Sequence, residues 1–158
     1  MLLKTTRFGE VTVDDDAVIT FTQPIIGFQD YRRFVTLPGP PQSNLCWLQS
    51  TEAGELAFLL MNPLDVMPGY KVSLGQHELA ELVVSDPTAL EIYTLLVVPE
   101  DRRKIRTNLR APVLINRSQR LGKQAVLDRS EYPIQFYLAA ARPEAGRREE
   151  VSNAGADA

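Results

Sequence analysis

The chain has 158 residues, a formal net charge of −3, and one cysteine and one histidine. That length fits a single domain with a sizeable core, and 44% hydrophobic with 23% charged residues is the ordinary balance of a soluble globular protein. The longest apolar runs, Leu56–Met61 and Phe136–Ala141, are too short to cross a bilayer. The opening MLLKTTRFGE lacks the apolar stretch of a secretory signal. Cys46 stands alone, which excludes an intrachain disulfide and favours a reducing compartment, so a cytoplasmic location is expected.

In chain order the sequence predicts short strands separated by turn signals. Phe8-Gly9-Glu10 punctuates an opening Thr5–Val13 stretch in which Val11 and Val13 alternate with polar neighbours. Asp14-Asp15-Asp16 reads as a turn, and Ala17–Thr22 as a strand carrying Val18, Ile19 and Phe21. Gln23 to Phe28 is an irregular connection, because Pro24 fixes φ and Gly27 permits unusual backbone angles. Tyr31–Leu37 is a further strand, ended by Pro38-Gly39-Pro40-Pro41. Leu45–Gln49 and Leu56–Met61, joined through Gly54, form a hairpin, and Asn62-Pro63 stops its second strand. Gln76–Leu82 has helical spacing. Leu90–Val98 is rich in β-formers and predicts a central strand, closed by Pro99, with a helical turn over Glu100–Arg106. Ala111–Asn116 and Gln124–Leu127 flank a polar Arg117–Lys123 loop as a second hairpin. A strand around Ile134–Tyr137 is the last one. From Pro143 onward bulky apolar residues are missing apart from Val151, so residues 142–158 are expected to be a disordered tail behind a domain of residues 1–141. Closely spaced strands with one or two short helices predict a mostly-β, single-domain antiparallel barrel or sandwich.

Charge is segregated along the chain. Residues 1–101 carry fourteen acidic and five basic side chains, whereas 102–129 carry nine Lys/Arg against Asp128 alone. Such an island is either a solvated basic hairpin or the electrostatic footprint of an acidic partner or RNA. The island contains no Phe, Tyr or Trp on which a base could stack, which argues against RNA. Catalytic signals are weak. His77, needed for any Ser-His-Asp or Cys-His arrangement, lies in the polar segment GQHELAEL and is expected at the surface. Cys46 beside Trp47 reads as a structural thiol, and one His with one Cys cannot build a usual structural zinc site. The aspartate triplet lacks the glycine and terminal glutamate of a calcium loop, and Gly-rich phosphate signatures are missing. No enzyme activity and no cofactor are expected. A small hydrolase or lyase would require a buried carboxylate pair in a closed pocket.

The segment Asn108-Leu109-Arg110-Ala111-Pro112-Val113-Leu114-Ile115-Asn116, followed by Leu121-Gly122-Lys123-Gln124-Ala125-Val126-Leu127, resembles the signature of the flagellar assembly factor FliW family. Phe8-Gly9-Glu10, Phe21 to Phe28, Leu48-Gln49-Ser50 and Ala57-Phe58-Leu59 with Asn62-Pro63 are similar to further family blocks in the same order. The resemblance spans about residues 3–138. Pro24, Ile26 and Gln29 stand where the family pattern GIPGFE has its first glycine, its proline and its acidic residue. The resemblance implies a monomeric, mostly-β, single-domain antiparallel β-barrel-like fold without cofactor, which binds flagellin and, when freed of it, captures the RNA-binding translational regulator CsrA and antagonises it allosterically. Direct nucleic-acid or membrane binding is not expected on this reading; direct RNA binding through 102–129 is the alternative. An amphipathic flagellin terminus needs an apolar groove, for which Trp47, Phe58, Met61, Met67 and Tyr70 are candidate lining residues. Asn62, Pro63, Asn108, Pro112 and Asn116 match motif positions, as contact residues or as turn and strand-end formers.

Overall fold

The computed structural model describes residues 1–128 and 130–141; the predicted tail lies outside the described residues. Among the described residues there are eleven strands, one short α-helix and five 3-10 turns. Strands β1 (Leu2–Thr5) and β2 (Gly9–Thr12) form a hairpin that pairs only with itself. The remaining strands are β3 (Ile19–Gln23), β4 (Arg33–Pro38), β5 (Cys46–Ser50), β6 (Ala57–Met61), β7 (Glu91–Val97), β8 (Arg106–Thr107), β9 (Val113–Asn116), β10 (Leu121–Gln124) and β11 (Phe136–Tyr137). They form one sheet in the order β11-β8-β7-β6-β5-β4-β3-β10-β9, which β7 closes by also pairing with β9. The result is a seven-stranded barrel with β8 and β11 as an outward extension. Every pairing is antiparallel except β3–β10. An odd number of strands cannot alternate direction all the way round a closed ring, so one parallel pair is a requirement of closure.

The barrel is filled. Ile19, Phe21, Ile25, Phe34, Leu48, Leu60, Val113 and Ile115 form its buried interior, as expected for a small barrel whose inward residues alternate along each strand. A second core lies outside the wall, where Leu82 and Leu79 of the segment containing α1 (Gln76–Glu81) pack on Leu114 and Ala125. Strand β9 is therefore covered on both faces, which is why Val113-Leu114-Ile115 reads as an unbroken apolar run.

Several predicted boundaries shift for identifiable reasons. The turn between β9 and β10 closes at Arg120, in the left-handed region at φ 58°, and β10 starts at Leu121 instead of Gln124. Gly122 looks like a loop residue but lies within the strand, because a Cβ there would stand 2.9 Å from the Phe21 ring. Lys123 is tolerated in the wall because its ammonium reaches Glu81 at 2.8 Å. Pairing then continues irregularly, with Ala125 N–H donating to Pro112 O and Leu127 N–H to Arg110 O. The irregular connection after β3 is a tight turn in which Phe28 N–H donates to Ile25 O at 2.8 Å. Its critical residue is Gly27, at φ 91°; Ile26 gives up only the preset φ of a proline. In the Leu48-Gln49-Ser50 block, the fully buried Gln49 Nε2 donates to the carbonyls of Ser50, Gly54 and Leu56 at 3.0–3.2 Å, tying down the β5–β6 loop.

Candidate protein-binding site

The β6 ladder along β7 ends at Met61, opposite Thr94, while β7 runs on through Tyr93, Ile92 and Glu91 against β9. The cause is local. The Asn62 side chain accepts from Leu64 N–H at 2.9 Å and caps a 3-10 turn over Pro63–Asp65, and Pro63 has no N–H with which to continue the ladder. The chain therefore swings away and leaves a cleft of about 360 Å³, lined among others by Asn62, Pro63, Leu64, Tyr70, Ile92 and Tyr93. Tyr70 is locked in the wall: its hydroxyl donates to Leu109 O at 2.6 Å and its ring packs on Tyr132 at 4.5 Å. Burial first, and then the neighbouring Tyr132, push its phenol pKa well above the ordinary range, so it remains a neutral donor. Asn108 Oδ1 accepts from the N–H groups of Arg110 and Ala111, shaping the turn that presents the Leu109 carbonyl to Tyr70.

The structure thus brings Asn62, Pro63 and Tyr70 together, with Asn108 one shell behind them. It places the other candidates elsewhere. Phe58 points into the barrel, edge-on to Phe28 at 4.9 Å. Met61 is buried and Met67 is half-buried. Trp47 lies under the N-terminal hairpin, with the Arg7 guanidinium 4.3 Å above its ring and Phe8 at its edge. Pro112 and Asn116 are buried at the two ends of β9; Asn116 Nδ2 donates to Leu82 O at 2.7 Å. Leu64, Ile92 and Tyr93 were not singled out from the sequence. Their signal was present in Asn62-Pro63, which marks where a strand leaves its partner.

The basic island is dispersed in space. Lys123 pairs with Glu81, Arg117 bidentately with Glu91 (2.7 and 2.9 Å), Arg120 with Asp16 and Arg103 with Asp101. Four of the nine cations that form one island along the chain are thus paired with carboxylates across the fold, which weakens the case for a continuous phosphate-binding stripe. At the cleft, hydrogen bonds from Arg117 hold the Glu91 carboxyl below its ordinary range against the opposing effect of burial, with a further bond from Tyr93. A committed ion pair is a poor general acid or base. Cys46 is half-buried, and burial raises its thiol pKa despite Arg117. His77 is exposed on α1.

The Lys123–Glu81 pair supports a stability prediction. The side chains are only 10% and 16% exposed. Burial pushes the Glu81 pKa up, but hydrogen bonds from Lys123, Gln23 and Thr22 outweigh it and leave the carboxyl below its ordinary value of 4.5. A folded-state pKa below the unfolded one stabilises above the unfolded pKa and is lost as pH falls through the folded one. Lys123→Met is expected to cost about 1–2 kcal/mol at neutral pH, since partial exposure screens the pair. Thermal unfolding at stepped pH checks this: the gap to the unaltered chain should shrink as pH falls below 4.5 and should not widen there.

Comparison with known proteins agrees with this architecture. A solved crystal structure of the flagellar assembly factor FliW superposes with a TM-score of 0.80 at 28% identity, covering 87% of this chain and 96% of that one. A flagellar assembly factor FliW of Ruminiclostridium cellulolyticum is 37% identical over 139 residues, spanning 87% of this chain and 94% of its own length. Another, from Desulfitobacterium hafniense strain Y51, is 34% identical over 152 residues, covering 93% of this chain and 100% of itself. The family model described as FliW protein matches residues 2–138, essentially the whole barrel with its hairpin and extension, and the chain belongs to the FliW family of flagellar assembly factors.

Proposed function

We propose that this chain binds flagellin and, when free of it, binds the translational regulator CsrA and antagonises it allosterically, relieving repression of flagellin synthesis. The observation that supports this best is a barrel packed solid with side chains and carrying an apolar cleft on its flank, in a chain of a family of assembly factors and not of enzymes. With no room for a ligand inside, the chain acts through its surface, and the cleft is where an apolar partner side chain gains most by leaving water. Exposed Leu64, with half-buried Ile92 and Tyr93 beside it in the cleft lining, suits the apolar stripe of an amphipathic flagellin helix. Exposed carboxylates of the N-terminal region, among them Glu10, Asp14, Asp15, Asp16 and Asp30, suit the steering of a basic RNA-binding protein. On this reading the chain works as a cytoplasmic monomer without cofactor.

Titration calorimetry with purified flagellin, and separately with CsrA, tests the proposal. Micromolar or tighter binding of each is expected, and binding of neither ends the reading. Leu64→Glu should weaken flagellin binding by roughly ten- to a hundredfold, the range of an interface hot spot. Because Leu64 is exposed, it should change stability by no more than about 0.5 kcal/mol. Unchanged flagellin affinity in that variant would remove the cleft as the seat.

A further inference from the structure

We propose that the open end of the sheet at β11 docks an acidic, apolar-studded segment of a partner protein in extended conformation, separately from the cleft and from the two partners above. The barrel closes on itself through β7 and β9, but β8 and β11 continue past the closure, and the sheet ends on β11. Leu109 N–H donates to Pro133 O and Leu138 N–H to Ile105 O on either side of the two-residue strand Phe136–Tyr137. That strand follows bends at 134–135 and leads into the 3-10 turn Leu138–Ala141, so this short edge is held on its inner side. Among the described residues no strand pairs with the outer side. An unpaired edge is a template for strand addition. Proteins blunt such edges with shortness or charge; here the two-residue edge is flanked by exposed apolar side chains as well as basic ones.

The face of this extension states what it would accept. Val97, Arg106 and Tyr137 are register partners and form one cross-strand row. Val97 is 44% exposed and Val98 beside it 55%. The 3-10 turn over Arg102–Lys104 packs against residues 138–141 at the end of the row. Four of the nine cations of the basic island are paired with carboxylates, whereas Arg102, Lys104 and Arg106 form no ion pair among the described residues. Three uncommitted cations within five residues therefore flank an open strand edge on a chain of net charge −3. At physiological salt the Debye length is about 8 Å, so an incoming segment responds to this local field more than to the distant acidic residues. Alternating carboxylates and aliphatic groups would satisfy the cations and the valines together, and a peptide backbone would satisfy the edge. Nucleic acid would use the cations alone, with Tyr137 as a solitary stacking platform and nothing to place on Val97 and Val98.

Fluorescence anisotropy with the full chain tests this, using a labelled twelve-residue peptide alternating Glu and Val. The controls are the Lys–Val analogue and single-stranded poly-U RNA. The Glu–Val peptide should bind in a salt-sensitive manner, slow amide hydrogen exchange at the Phe136–Tyr137 edge, and lose roughly tenfold or more in affinity in the triple variant Arg102→Glu, Lys104→Glu, Arg106→Glu. Neither control should compete. The triple variant should keep its unfolding midpoint and its flagellin affinity, which separates this surface from the cleft. No binding of the Glu–Val peptide, equal binding of the Lys–Val peptide, displacement by poly-U, or undiminished affinity in the triple variant would each overturn the proposal.

Discussion

Phe34→Ala is expected to destabilise the chain by about 3–5 kcal/mol, the range for emptying a large aromatic site in a closed core. Phe34 is fully buried on β4, paired with Ile19 of β3 and Ser50 of β5. Its ring lies 5.2 Å from that of Phe21 and 6.1 Å from that of Phe58. A closed barrel has no free edge along which the wall can collapse into the void, so most of the cavity should persist, which places the cost high in the range. The loss is a large part of the roughly 5–15 kcal/mol that a domain has in total. Urea unfolding checks it, with the midpoint falling and the slope unchanged. Trp47→Ala is the informative contrast. Trp47 is larger, but it sits outside the wall under Arg7 and Phe8, which can settle toward the space left behind. Its cost should be clearly smaller, and a Trp47→Ala loss matching that of Phe34→Ala would show that the N-terminal hairpin is a rigid part of the core.

That contrast shows what the sequence made legible. The β-formers of β3 and β7, the Gly54 hairpin and the stop at Asn62-Pro63 are short-range signals, and the strands follow from them closely. Trp47 and Phe58, one inside and one outside the barrel, look alike in sequence because each sits in an apolar strand covered on both faces, so period-two reading loses its contrast there. The β9–β10 boundary was illegible for a different reason: Gly122 and Lys123 are loop residues by type, and only the Phe21 ring and the Glu81 carboxylate, both distant in sequence, make them strand residues. Strand β8, two residues long, gives no periodic signal at all. The charge asymmetry was visible, but not that folding would set Arg117 against Glu91 and Lys123 against Glu81. The cleft depends on a strand leaving its partner, which sequence marks as a stop without showing what it uncovers.

The motif residue Asn116 carries the second large expected effect. Its buried amide donates to Leu82 O at 2.7 Å and Val83 O at 3.3 Å, and its Oδ1 accepts from Ser118 at 3.0 Å. Those two carbonyls lie at the end of α1, where Val83 takes φ 55°. A β-branched residue in the left-handed region is unusual, and the strain is of order 1–2 kcal/mol. Asn116 holds that turn closed, so that Leu82 can fill the second core while Val83, 58% exposed, faces solvent. Asn116→Ala should cost about 2–3 kcal/mol, since it leaves a buried carbonyl without its donor and gives the strained turn freedom to open. Val83→Gly should stabilise by about 0.5–1 kcal/mol, because the glycine occupies the same backbone region without strain and little apolar area is lost. If Asn116 acts by restraining Val83, the two changes are not independent. The double variant should recover part of the Asn116→Ala loss, giving a coupling of about 0.5 kcal/mol or more in a double-mutant cycle measured by urea unfolding. Strict additivity would instead assign Asn116 to satisfying the carbonyls alone.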